Sequence, residues 1–325
     1  MIVVQLKSSQ EEEALESISD IIKTIQKKFG YRIKGHEIHQ IKANMDKTSL
    51  QERVNSVSSF CATNEIEYLT YHTPIIKENI YDSKWNQIII NSIFDTIHES
   101  KKVASEVNIK RVTIIFHLSN YIHKNGKEAQ LTKETKVDVR NMSRRAFLHS
   151  FVDNMDYLPA HLRREQHFLA IENSYPKCYS NSIQKINLFH PKELVEFERY
   201  DIKTTLDLSH YQLYSNYLLY GKGNIAGDLD REIYKRAPSW EECIKILGNS
   251  LVQLHINDAV GFDYSGEGLR LGRGEIPISD ILRAINSSER VIQGTIEISE
   301  GHLYKARFQE EAVDWLLTNM RHFLG

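Results

Sequence analysis

The stretch IKTTLDLSH, residues 202–210, begins as a run of β-branched and apolar residues and ends in an acid and an imidazole. Such a run is typical of a buried β-strand. Asp207 lies at its end, and His210 follows three residues later in the predicted loop. One titratable pair at the end of a strand says little alone. If other strands end in the same way, the pattern indicates both a fold and a chemistry.

Short apolar runs alternate with longer segments of helical spacing along the chain. The predicted strands cover residues 2–6, 32–39, 66–72, 111–117, 167–172, 202–208, 251–256 and 291–298. The predicted helices cover about 10–29, 49–63, 83–107, 143–157, 191–199, 211–219, 239–248, 278–287 and 305–323. Eight alternations with short connections predict parallel strands joined by crossovers. An open doubly wound sheet also fits, but the count of eight and the lack of GxGxxG after the first strand favour a closed (β/α)8 TIM barrel.

Two helices carry start signals that can be read directly. Ser239 is followed three residues later by Glu242, which is the pattern of a capping box. Pro191 stands near the first turn of the helix predicted at 191–199, where its missing N–H costs nothing.

The composition is that of an ordinary globular protein, with 41% hydrophobic and 26% charged residues among 325. We expect one domain over residues 1–325, because single α/β barrels reach this length and no Pro-, Gly- or Ser-rich linker divides the chain. No apolar stretch approaches the roughly 18–20 residues of a membrane span, and MIVVQLKSSQEEE does not predict a signal peptide. Three scattered cysteines form neither a metal-type spacing nor a disulfide framework, which favours a cytoplasmic location without membrane partners.

Two connections are long, at residues 118–142 and 220–238, and we expect both to lie as loops over the barrel mouth. The formal net charge of −2 does not indicate a nucleic-acid partner. Residues 122–145 nevertheless carry seven Lys or Arg against three acids, and the second loop offers Arg231, Lys235 and Arg236 as phosphate-binding candidates. A solvated surface is the simpler interpretation of both groups of charges.

Six of the eight predicted strands end in a potential metal ligand: His72, His117, Glu172, Asp207, His255 and Glu297. The C-terminal ends of barrel strands share one face, so these side chains and His210 are expected to converge. Each one alone is more simply a structural residue. Together, three buried carboxylates lose hydration at high cost, and imidazoles that are mostly neutral at pH 7 do not balance them. One or two divalent cations would balance the charge of these carboxylates. Mixed oxygen and nitrogen ligands suit Zn²⁺, Mn²⁺ or Co²⁺ better than Ca²⁺.

The ordered set of motifs resembles the xylose-isomerase-like TIM barrels, the superfamily that joins sugar isomerases and epimerases with endonuclease IV (AP endonuclease family 2). The resemblance runs from about residue 71 to residue 299. It rests on HTP (72–74), FHLSN (116–120), IEN (171–173), LDLSH (206–210), HIND (255–258), LGRGEIPI (271–278) and IEIS (296–299). Each motif alone is weak, whereas their ordered combination is fairly specific.

The resemblance implies two metal sites with one shared ligand. The first would use Glu172, Asp207, His255 and Glu297, and the second His72, His117 and the shared Glu172. In endonuclease IV a third zinc uses the equivalent of His210 and an Asp-x-His pair before the glycine turn. The corresponding stretch, GFDYSGEGLRLG (261–272), lacks that pair, and whether Asp263 or Glu267 substitutes is open. Ile75 also replaces the aromatic residue expected after His-x-Pro.

These departures favour an isomerase or epimerase of a small sugar or sugar phosphate, with DNA as the substrate only under the alternative below. By the resemblance, the metal ion would stabilise an enediolate, and one of Glu172 and Glu297 would be the base and the other the acid. His210 would hydrogen-bond a substrate oxygen. The predicted substrate-binding residues are Asn173, Asn257, Asp258, Arg231 and Arg236.

The alternative is an endonuclease IV-like phosphodiesterase that acts on abasic DNA with two cations about 3.5–4 Å apart. The histidine pair His72 and His117 favours it. A third interpretation is a binding protein that kept the pocket and lost turnover. The sequence leaves the substrate, the metal and the oligomeric state open.

Overall fold

A computed structural model of the chain describes residues 1–41, 45–74, 83–117, 121–124, 166–174, 177–179, 183–186, 190–220, 235–262, 264–287, 290–299 and 307–325. Eight parallel strands close into a barrel in which each strand pairs with the next along the chain, and the last pairs with the first. The strands are β1 (Ile2–Ser9), β2 (Gly35–His39), β3 (Tyr68–His72), β4 (Arg111–Phe116), β5 (His167–Glu172), β6 (Ile202–Asp207), β7 (Leu251–Ile256) and β8 (Ile292–Ile296). The predicted (β/α)8 fold is therefore confirmed.

Eight α-helices lie within the described part of the chain. They are α1 (Glu12–Phe29), α2 (Leu50–Thr63), α3 (Ser83–Glu106), α4 (Pro191–Val195), α5 (Leu208–Tyr220), α6 (Trp240–Leu247), α7 (Ile278–Asn286) and α8 (Arg307–Met320). The helix predicted at 143–157 lies outside the described residues. None of the described helices is both long and apolar enough to cross a lipid bilayer.

The capping signals in the sequence are realised in the structure. Ser239 precedes α6, and its side chain accepts a hydrogen bond from the backbone N–H of Glu242 in a complete capping box. Pro191 opens α4, but that helix has only five residues and continues as a 3₁₀ turn, Glu196–Tyr200. The 3₁₀ turn replaces the second half of the single helix predicted at 191–199.

Two predictions about loops need correction. Residues 121–124, inside the long loop predicted at 118–142, form a strand that pairs antiparallel with residues 183–186, which also pair with 177–179. The sequence YIHK, with a β-branched and an aromatic residue, favours this extended conformation. The rest of that loop and residues 221–234 lie outside the described residues.

The second correction concerns the start of α5. His210 lies in the first turn of this helix rather than in a loop, because α5 begins directly after β6. Asp207 acts as its N-cap, since Oδ1 accepts a hydrogen bond from the backbone N–H of His210 at 2.8 Å.

The barrel interior is filled largely by polar side chains that hydrogen-bond across the axis. Thr70 donates to Gln5 Oε1 at 2.9 Å, Gln253 donates to the same oxygen at 3.0 Å, and Thr113 donates to Gln293 Oε1 at 2.7 Å. The opposite faces of the strands carry the apolar side chains that pack under the helices, such as Leu69 and Tyr71 of β3. Because side chains alternate along a strand, the residue two places after each of these interior residues also points inward.

Candidate metal centre

Because alternate residues of each strand point into the barrel, the predicted ligands lie together at the C-terminal ends of the strands. On β3 the interior residue Thr70 is followed two places later by His72, and on β7 Gln253 is followed by His255. The same alternation leads from Thr113 to His117. The structure thus brings together the six strand-end residues that the sequence singles out.

Four of these residues form one pocket, called here the four-ligand pocket: Glu172, Asp207, His255 and Glu297. Each offers one ligand atom, and these atoms lie within 4.8 Å of one another. Nδ1 of His255 is 2.5 Å from Glu297 Oε2, 3.4 Å from Glu172 Oε1 and 3.7 Å from Asp207 Oδ2. The set is buried except for Glu297, whose side chain is 25% exposed.

The polar atoms of this pocket fit a divalent cation. His255 Nδ1 and Glu297 Oε2 are buried in this pocket and make no hydrogen bond to any described residue, and the same holds for Glu172 Oε2 on the side away from His255. His255 Nδ1 and Glu297 Oε2 approach each other closely without the alignment of a hydrogen bond. Leaving buried carboxylate oxygens unsatisfied is costly, and a cation bound by oxygen and imidazole nitrogen removes that cost.

A second pocket, the two-histidine pocket, adjoins the first and consists of His72, His117 and Glu172. The Nε2 atoms of the two imidazoles are 3.0 Å apart, and each is 3.3 Å from Glu172 Oε2. Bonds of about 2.0–2.1 Å to a tetrahedral Zn²⁺ would place ligand atoms roughly 3.3 Å apart, so this spacing fits a metal ion. Glu172 directs Oε1 to the four-ligand pocket and Oε2 to the two-histidine pocket.

The pKa values of Glu172 and His255 depend on the charged groups that surround both pockets. Burial raises the pKa of Glu172, but the imidazoles of His117 and His255 outweigh it and hold that pKa well below its usual value. Burial lowers the pKa of His255, but the carboxylates of Glu297, Glu37 and Glu172 raise it well above its usual value. A cation and a proton therefore compete for Nδ1 of His255.

The asparagines predicted to bind substrate hold the candidate ligand Asp207 in place. Asn257 donates to Asp207 Oδ2 at 2.9 Å. Asn173 accepts from the backbone N–H of Asp207 at 2.6 Å and donates to its carbonyl oxygen at 3.0 Å. Partners of this kind orient metal ligands and tune their basicity.

The other predicted substrate-binding residues lie apart from the pockets or outside the described residues. The carboxylate of Asp258 accepts from backbone N–H groups of the glycine turn, including Gly272 at 3.0 Å and Gly274 at 2.9 Å. Arg236 is exposed and pairs with Glu242 at 3.0 Å at the start of α6. Arg231 falls in the part of the chain that the structure does not describe.

His210 lies beside the four-ligand pocket, and its ring nitrogens contact other protein groups. Nδ1 donates to the carbonyl oxygen of Asn173 at 2.9 Å, and Nε2 lies 2.9 Å from Glu267 Oε1. Burial lowers its pKa, but Asp207 and Glu267 outweigh burial and raise the pKa to about 10. Glu267 is therefore the residue of the glycine-turn segment that reaches His210, while Asp263 lies outside the described residues.

Two buried residues at the same layer escaped the sequence analysis. Lys7 Nζ bonds Glu297 Oε1 and lies 3.0 Å from Glu37 Oε1, and Glu37 Oε2 lies 3.1 Å from His255 Nε2. The signal was present, because each is a charged residue within an otherwise buried strand. His39 at the end of β2 was missed as well, and its ring centroid is 4.7 Å from that of His72.

Comparison with known proteins identifies the fold. No protein-family model matches the chain, and no curated protein matches its sequence. D-psicose 3-epimerase in the presence of D-fructose superimposes with a TM-score of 0.60 at 13% identity, covering 98% of this chain and 99% of that chain. A D-tagatose 3-epimerase-like protein gives 0.58 at 13% identity, covering 96% and 98%.

Endonuclease IV from Thermus thermophilus also superimposes, with a TM-score of 0.58 at 11% identity and coverage of 97% of this chain and 99% of that chain. Identity this low carries an argument for the fold alone. The resemblance predicted from the strand-end motifs is confirmed at that level: the chain has the TIM-barrel fold that these epimerase and endonuclease IV structures share.

Proposed function

We propose that the protein is a divalent-metal-dependent enzyme that isomerises or epimerises a small sugar or sugar phosphate. The observation that carries the proposal is the four-ligand pocket, in which Glu172 of β5 and Glu297 after β8 flank Asp207 and His255. Two carboxylates at the two ends of one ligand arc suit a reaction in which one takes a proton from carbon and the other returns one. A divalent cation bound there would polarise a carbonyl and stabilise negative charge on its oxygen.

His210 supports the sugar reaction. Its pKa of about 10 makes it an imidazolium at neutral pH, held by Asn173 and Glu267. Both N–H groups are then engaged by these two acceptors, so a substrate oxygen would take the place of Glu267 at Nε2–H. In this role His210 would orient the substrate beside the four-ligand pocket.

A second candidate is hydrolysis of a phosphodiester, favoured by the two-histidine pocket. His72 donates its Nδ1–H to the carbonyl of Thr73 at 2.9 Å, and its Nε2 lies 3.3 Å from Glu172 Oε2. Two cations that share Glu172 would suit a two-metal displacement.

Metal content and substrate range separate the two candidates. Purified protein is analysed for metal by mass spectrometry and then incubated with ketoses and sugar phosphates in D₂O, with an abasic DNA duplex in parallel. The sugar proposal predicts a carbon-bound deuterium in at least one sugar, detected by NMR. Cleavage of the duplex with no deuterium in any sugar would instead support hydrolysis.

The variant Glu297→Gln tests the flanking carboxylates. Because the amide neither takes a proton nor binds the cation as an anion, turnover should fall by at least about 10²–10⁴-fold while the circular dichroism spectrum is unchanged. The exposed Glu241→Gln is the matched control and should keep full activity. Near-normal activity of Glu297→Gln would refute the role assigned to this residue.

A further inference from the structure

A buried ion pair lies directly behind the four-ligand pocket, on the two strands that the sequence motifs did not mark. The side chains of Lys7 and Glu37 are 1% and 0% exposed, and their charged atoms are 3.0 Å apart. Lys7 bonds Glu297, and Glu37 contacts His255 at 3.1 Å. The pair therefore contacts two of the four pocket residues, through Oε1 of Glu297 and Nε2 of His255, atoms that do not face each other in the pocket.

Each contact determines which atom of a ligand faces the pocket. Glu37 Oε2 contacts Nε2 of His255, so Nδ1 is the ring nitrogen that faces the other pocket residues. The ammonium group of Lys7 binds Oε1 of Glu297, so Oε2 is the oxygen that faces His255 Nδ1. An ammonium group on the second oxygen competes with a metal ion for that oxygen, and so favours binding of the ion through the other oxygen alone.

The pair is itself held rigidly. The side-chain amide of Gln309 accepts from the backbone N–H of Lys7 at 2.8 Å and donates to its carbonyl at 2.7 Å. Thr295 donates to Glu37 Oε2 at 2.8 Å. These bonds fix the backbone at Lys7 and the carboxylate of Glu37, and so keep the ammonium group of Lys7 within reach of Glu297.

We propose that Lys7 is a positioning residue that restricts Glu297 to one metal-facing oxygen and so selects against large cations. Ca²⁺ takes about six to eight oxygen ligands and often binds carboxylates through both oxygens, whereas Zn²⁺ takes about four ligands. Restricting Glu297 lowers the number of oxygens in the pocket. Lys7 thereby favours Co²⁺ or Zn²⁺ over Ca²⁺, whichever reaction the centre performs.

The double variant Lys7→Met/Glu37→Gln tests this role without changing the net charge of the cluster, because it removes one positive and one negative charge. We expect the ratio of Co²⁺ affinity to Ca²⁺ affinity to fall by at least about tenfold, the size typical of a lost partner behind a metal ligand. The ratio is measured by titrating the visible absorption of bound Co²⁺ with Ca²⁺ as the competitor. The absorption itself should weaken, since it decreases when Co²⁺ gains ligands.

Glu37→Gln alone is the control. It keeps Lys7 on Glu297, so it should keep the discrimination against Ca²⁺. A folded double variant with the ratio of the wild-type protein would overturn the proposal. If the double variant does not fold, a crystal structure of the wild-type Co²⁺ complex decides: Glu297 bound through one oxygen with Lys7 on the other supports the role, and Glu297 bound through both oxygens refutes it.

Discussion

The histidines of this protein show how surroundings determine charge at the scale of one residue. His36 on β2 is fully buried, packs 4.7 Å from the ring of Phe60 and contacts the hydroxyl of Ser8 at 3.0 Å. Burial lowers its pKa to about 3. His210 is also largely buried but contacts a carboxylate, and its pKa is about 10. A sequence shows the residue type and not the neighbour that decides between these states.

The low pKa of His36 predicts acid sensitivity. Between pH 6.5 and pH 3 the unfolded chain binds a proton that the folded chain does not, so the free energy of unfolding falls as the pH falls. From pH 7 to pH 5 this group alone should cost about 2 kcal/mol. In His36→Gln that part of the loss should disappear.

Urea unfolding of metal-free protein at the two pH values measures the effect. The exposed His322→Gln is the control and should retain the acid sensitivity of the wild-type protein. If His36→Gln and the wild-type protein lost the same unfolding free energy between pH 7 and pH 5, the low pKa of His36 would be contradicted.

At the scale of an element, the glycine turn after β7 connects the pocket to α7. The carboxylate of Asp258 accepts hydrogen bonds from the backbone N–H groups of Gly272, Gly274 and Ile276 at 3.0, 2.9 and 3.1 Å. Asp258 follows the candidate ligand His255 three residues later in the sequence. The turn therefore holds the end of β7 and with it the position of that ligand.

Gly274→Ala should disturb this turn, because a Cβ there would lie 2.3 Å from both Ala259 O and Asp258 Oδ1. We expect a loss of about 1–3 kcal/mol in unfolding free energy together with weaker metal binding. Gly30→Ala is the control: its φ is +62° at the end of α1, and a Cβ there has no neighbour within 4 Å.

Gly30→Ala should lower stability by about 1–2 kcal/mol through its left-handed backbone and leave Co²⁺ affinity unchanged. Denaturant unfolding and Co²⁺ titration of both variants make the comparison. Unchanged Co²⁺ affinity in Gly274→Ala would show that the turn does not support the pocket.

At the scale of the whole molecule, barrel closure assembles the centre. The ion pair joins Lys7 on β1 to Glu297 after β8, residues 290 positions apart. Closure also brings the chain ends together, since Gly325 donates to the carbonyl of Ile2 at 2.9 Å. Strands from every part of the chain therefore contribute to one site.

A cation that binds such a site only in the folded chain should stabilise the whole barrel. At a free Co²⁺ concentration about 100 times the Kd, the unfolding free energy should rise by about 2.7 kcal/mol. Thermal unfolding with Co²⁺ and with a chelator measures the resulting rise in Tm. Glu297→Gln should show a smaller rise, and a wild-type Tm that does not respond to the ion would argue against the metal centre.

The sequence by itself determined the eight strands, the barrel and the residues of both pockets. Buried strands are rich in apolar and β-branched residues, so a titratable residue at the end of such a run stands out, as His72 and Asp207 do. Only the tertiary structure decided that Lys7 contacts Glu297, that Glu37 contacts His255 and that Glu267 contacts His210. These contacts join residues 57 to 290 positions apart, so no local pattern encodes them. Closure of the barrel brings Lys7 to Glu297, and the pairing of neighbouring strands brings Glu267 to His210.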